Sequence, residues 1–125
     1  MRHVVIEGLE EIIKRDLLQH RAILERTKGE LDAYTTSRAH EIKRKKHFAG
    51  LVGGGKYDDA ALQVALDQAN INVRHLSDKM QLSRDKITHE KEVVDSLVIQ
   101  LEEQNAGLDD LALYRKQNGA GNRLG

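Results

Sequence analysis

Apolar residues recur at a 4-3 spacing through the second half of the chain. With Leu62 placed at d and Leu66 at a, the a positions are Leu66, Val73, Met80, Ile87, Val94, Leu101 and Leu108, all apolar. The d positions are Leu62, Ala69, Leu76, Ser83, Glu90, Leu97, Gln104 and Leu111, of which five are apolar. A 4-3 pattern that runs through seven heptads without a slip predicts a coiled-coil helix. Asp58 or Asp59 supplies its N-cap, and Asn118-Gly119 offers a C-terminal stop. The expected helix covers residues 58–117 and is about 90 Å long, with Gly107 as a weak point inside it.

The first half carries a less regular stripe of Ile6, Leu9, Ile13, Leu17, Leu24, Leu31 and Tyr34. His20 and Thr27 interrupt it at core-like positions. Beyond Tyr34 the stripe is expected to fail, because "TTSRAHEIKRKKH" offers only Ala39 and Ile42 before Phe48. No Gly or Pro breaks that segment, so helix 1 is expected over residues 3–48, about 68 Å. Residues 49–57, with Gly50, Gly53, Gly54 and Gly55, read as a hinge, and residues 118–125 as a flexible tail. Two long amphipathic helices joined by a short glycine-rich loop predict an all-α fold, an antiparallel helical hairpin. Helix 2 is expected to overhang helix 1, which points to assembly with further chains.

The outward f positions of helix 2 read Val64, Ile71, Asp78, Asp85, Glu92, Ile99, Ala106 and Leu113. The middle is acidic and the ends are apolar. In "VVDSLVIQL", Val93, Val98 and Ile99 join the seam residues Val94, Leu97 and Leu101. This piece is apolar nearly all round, so it is expected to be covered on more than one side. The alternative is ordinary scattered exposure of apolar side chains. Glu90 and Gln104 at d, with His20 in helix 1, are polar seam residues. Either they fix register and oligomeric state, or the seam opens to water where they lie.

Composition narrows the class. Only 3% of the chain is aromatic while 32% is charged, which fits long exposed helices better than a compact α/β enzyme. There is no cysteine, so neither disulfides nor thiolate metal sites are expected. There is no 18-residue apolar run, so no membrane span is expected. The N-terminus "MRHVVIEGLEEII" lacks the apolar block of a signal peptide. A cytoplasmic location, or a virion assembled in the cytoplasm, is the expectation. Net charge is zero but segregated: residues 37–56 hold six basic groups and one acidic, residues 57–113 five basic and twelve acidic.

Candidate chemistry begins with "AGLVGGGKYDD". Gly50-x-x-x-x-Gly55-Lys56 approaches a phosphate-binding loop. Tyr57 stands where Ser or Thr would hold magnesium, and "EIKRKKHF" cannot be the buried strand that should precede such a loop. A reversal point is the better reading. Lys43, Arg44, Lys45, Lys46 and Lys56 form a candidate polyanion contact, set against the reading of a solvated basic face. His75 and His89 share a face but stand about 21 Å apart, and no histidine spacing fits a metal site. Adjacent carboxylates such as Glu102 and Glu103 point apart on a helix. Neither catalytic residues nor a cofactor or metal site is expected.

In outline the chain resembles prefoldin-type holdase subunits, in size and in its two long helices. It departs from them at "GLVGGGKYDD", where prefoldins place β-hairpins. It is also similar in architecture to the coiled-coil export components of flagellar and type III secretion systems. Three functions follow. The first is a non-enzymatic structural subunit of a larger assembly, such as a virion, a tail or neck, or a secretion apparatus. The second is a chaperone or escort of the prefoldin-like or export-chaperone kind. The third is a nucleic-acid-associated factor using the basic hinge end. The first is the expectation, with the a and d residues named above and Val93, Val98 and Ile99 as its interface.

Overall fold

The computed structural model describes the backbone of residues 8–124 and the side chains of residues 8–107. It is all-α, a helical hairpin of α1 (Leu9–Leu51) and α2 (Asp59–Leu124), and no strand occurs among the described residues. Hydrogen bonds between the helices run His20 to Glu90, Arg38 to Ser77 and Glu41 to Asn72. Partners climb along one helix as they descend along the other, so the pairing is antiparallel.

The seam of α2 follows the heptad. Leu62, Ala69, Met80, Ser83, Ile87, Glu90 and Gln104 are buried, and Leu66, Val73, Leu76, Val94, Leu97 and Leu101 are half-buried. Leu108 and Leu111 lie outside the residues whose side chains are described. On α1, Ile13, Leu17, Leu24 and Thr27 are buried, and His20, Leu31 and Tyr34 are half-buried. Burial at a 3.5-residue average on both helices matches two coiled partners.

Several boundaries differ from the sequence expectation. The stripe on α1 thins after Tyr34 without ending: Ala39 and Lys45 are exposed, but part of the segment stays covered. Arg38, Glu41, Ile42 and Phe48 remain half-buried, and Arg38 and Glu41 lay their stems along the seam and bond across it. Gly50 is helical, in the last turn of α1, so it is not part of the hinge. A glycine there costs helix only about 1 kcal/mol, and the chain reverses without it. The helix boundary falls at Leu51 rather than residue 48, and α2 continues past Asn118-Gly119 through the expected tail to Leu124. Nothing in that stretch forces a stop, since glycine without proline weakens a helix and does not block it.

The reversal spans Val52–Asp58. Gly53 and Gly55 have φ of 79° and 75°, the left-handed region that other residues enter only with strain. Gly54 N–H donates to Leu51 C=O at 3.3 Å. Asp58 caps α2, its Oδ1 accepting from Ala60 N–H at 3.1 Å, while Asp59 Oδ1 accepts from Gly53 N–H at 3.0 Å and ties the loop to the new helix.

The chain divides into two compact units. One comprises residues 24–89, and so contains the loop. The other comprises residues 1–23 and 90–125.

Candidate functional site

In the unit formed by residues 1–23 and 90–125, the seam is partly polar. Glu90 is 7% exposed, and its Oε2 accepts from His20 Nδ1 at 2.7 Å. With the carboxylate as acceptor, the His20 tautomer that makes this bond has its hydrogen on Nδ1. Gln104 is 3% exposed and its Nε2 has no hydrogen-bond partner. The seam therefore closes over Glu90 and Gln104, while the His20 side chain keeps 31% of its surface exposed.

The segment 93–101 is less well covered than its composition demands. Val93, Val94, Leu97, Val98 and Leu101 are all half-buried, and Ile99 is 53% exposed. Ile12 and Leu18 on α1 are exposed as well. Lys14 on that helix pairs with Glu10 at 2.9 Å, and this hydrogen bond raises the ammonium above its usual pKa. The hairpin thus half-buries five of the six apolar residues of segment 93–101 and leaves Ile99 on the exposed side, beside Asp95, Ser96 and Gln100.

In the unit 24–89, Thr27 and Ser83 are both buried. Toward the loop the α2 seam stays apolar through Leu76, Val73, Ala69, Leu66 and Leu62, and polar rungs cross beside it. Arg38 Nε donates to Ser77 Oγ at 2.8 Å, and Asn72 Nδ2 donates to Glu41 Oε2 at 3.3 Å. A shallow open groove runs beside these rungs, lined by Thr36, His40, Asn72, His75 and Lys79 among others. Among the described residues no group of three or more His, Asp or Glu side chains could hold a metal ion.

The basic run near the loop splits by environment. Arg44 is held by Glu41 at 3.1 Å and lies over the Phe48 ring, 5.6 Å from its centroid. Lys56 lies over the Tyr57 ring at 5.5 Å. Lys43, Lys45 and Lys46 are exposed. On the outer side of α2 in this unit, Val64 is 70% exposed, with Ile71 and Leu82 also exposed.

The structure thus places Met80 and Ile87 in the core, half-buries Leu66, Val73, Leu76, Val93, Val94, Leu97, Val98 and Leu101, and exposes Ile99. Sequence reasoning missed Arg38 and Glu41 as seam residues. The signal was their heptad spacing from Leu31 and Tyr34, seven residues earlier in each case. Among the described residues no helix is long and apolar enough to cross a membrane. The chain matches no protein-family model, no curated protein and no solved structure.

Proposed function

We propose that this protein is a non-enzymatic structural subunit, a helical hairpin that packs by its outer apolar surface against further helices in a protein assembly. The observation that carries the reading is the state of segment 93–101. Five apolar side chains there are half-buried and a sixth, Ile99, is mostly exposed, among exposed Asp95, Ser96 and Gln100. Apolar area left in water is a standing source of association free energy, roughly 25 cal/mol for each Å² removed from it. Exposed Val64, Ile71 and Leu82 on the outer side of α2 add to it.

The test is sedimentation of the purified chain against a variant carrying Ile71→Glu and Ile99→Glu. Both side chains are exposed, so the hairpin folds and keeps its helicity. The expected result is association of the native chain and at least a tenfold weaker association of the variant. If both sediment alike, the outer surface is not an assembly face. A native chain that instead shifts only on addition of nucleic acid would favour Lys43, Lys45 and Lys46 as the working surface.

A further inference from the structure

The two helices share one heptad phase. Ile13 is buried on α1 and Leu62 on α2, and they stand 49 residues apart, seven whole heptads. Leu17 and Leu66 repeat the same interval at the other seam position. The segment between the helices, Val52–Asp58, is seven residues long and therefore adds one heptad without shifting the phase. A closed hairpin has no need of this, because a loop can enter the second helix in any rotation. The loop also contains no proline, and its first residue, Val52, falls on an a position while being 44% exposed.

We propose that the chain also pairs with a second copy of itself by opening at residues 52–58 into one continuous helix, two copies then lying antiparallel and each supplying the other's seam. Every inter-helix pair of the hairpin reforms between copies. His20 of one meets Glu90 of the other, Glu41 meets Asn72, and Arg38 meets Ser77, because an antiparallel pair centred on the loop keeps the same register. Val52, exposed in the closed form, moves into the seam. Each open helix is about 170 Å long from Leu9 to Leu124. What holds the closed form is the loop itself. Gly53 and Gly55 reverse the chain at positive φ, and a Cβ on Gly54 would stand 3.3 Å from Leu51 O. All three glycines also disfavour a helix through the loop. This use of the inner seam is separate from association through the outer surface.

The experiment uses the full chain with Gly53→Ala, Gly54→Ala and Gly55→Ala together. Alanine favours the helix by about fivefold per site. Over six sites in a dimer, its dissociation constant is expected to fall by roughly four orders of magnitude. Sedimentation equilibrium reads the change as a doubling of mass with helicity kept. The chain has no cysteine, so Gln19→Cys in one population and Lys91→Cys in another accept single spin labels. In the mixed dimer these labels should show the same distance that both labels on one closed hairpin show. Two alanines inserted after Gly55 rotate the second half out of phase and should abolish the gain in dimerisation.

A triple variant that stays monomeric overturns the proposal, as does an inserted variant that dimerises equally well. If the triple variant does not fold, the native loop still provides a measurement. Singly labelled native copies, unfolded together and refolded at high concentration, should give the cross-copy distance, and its absence overturns the proposal. The Ile71→Glu and Ile99→Glu changes should leave this distance intact, so failure here is distinguishable from failure of outer-surface assembly.

Discussion

Glu90 occupies a seam position that an aliphatic residue would fill with less cost. Its burial is tolerated because His20 donates to it from the facing helix at 2.7 Å. Removing one partner of a buried polar pair costs more than replacing both with apolar groups. Glu90→Ala is therefore expected to destabilise the hairpin by about 1–2 kcal/mol. His20→Leu with Glu90→Leu together should be neutral or stabilising, with the register less tightly held. Urea unfolding midpoints at constant slope measure both, and an unchanged midpoint for Glu90→Ala would remove the pair from the account. Gln104 follows the same logic without a partner, and its buried amide nitrogen costs roughly 1–3 kcal/mol. The heptad alone already assigned both residues to d. It could not say whether the seam closes over them, because that depends on what the other helix presents, and periodicity within one helix carries no register between two.

At the scale of the element, the two helices were legible to different depths. For α2 the aliphatic a and d residues announce the seam. For α1 beyond Tyr34 the same spacing continues in Arg38 and Glu41, where hydropathy sees charge and the structure uses stems and cross-helix hydrogen bonds. The loop shows a similar limit. Four glycines look alike in composition, yet only Gly53 and Gly55 sit at positive φ in the reversal, and Gly50 is helical. Which glycine bears the turn is decided by where α1 stops. The start of α2 was readable within one residue, and the structure chooses Asp58 as the cap. Asp58→Ala should cost about 1 kcal/mol, seen as a lower urea midpoint with the helical signal at zero urea nearly unchanged. A midpoint equal to the native one would mean that Asp59, bonded to Gly53 N–H, fixes the loop and helix start without help.

At the scale of the whole molecule, two driving forces for association compete, and salt separates them. Residues 24–89 carry twelve basic and nine acidic side chains, while the rest of the chain carries eight basic and eleven acidic. Copies could attract through this imbalance, with exposed Lys43, Lys45 and Lys46 as the obvious contacts. They could instead associate through apolar surface around Ile99, Val64 and Ile71. Screening shortens the reach of the first force from about 10 Å at 0.1 M salt to about 3 Å at 1 M, whereas apolar burial is not weakened by screening. Assembly through the outer apolar surface is therefore expected to hold or strengthen between these two salt concentrations, read as weight-average mass by sedimentation. The charge imbalance is a difference of only three residues in each unit, small beside six half-buried or exposed aliphatic side chains in one nine-residue segment. That comparison sets the expected sign. A mass that falls toward the monomer at 1 M salt would reverse it, and would move the working surface from segment 93–101 to the lysines near the loop.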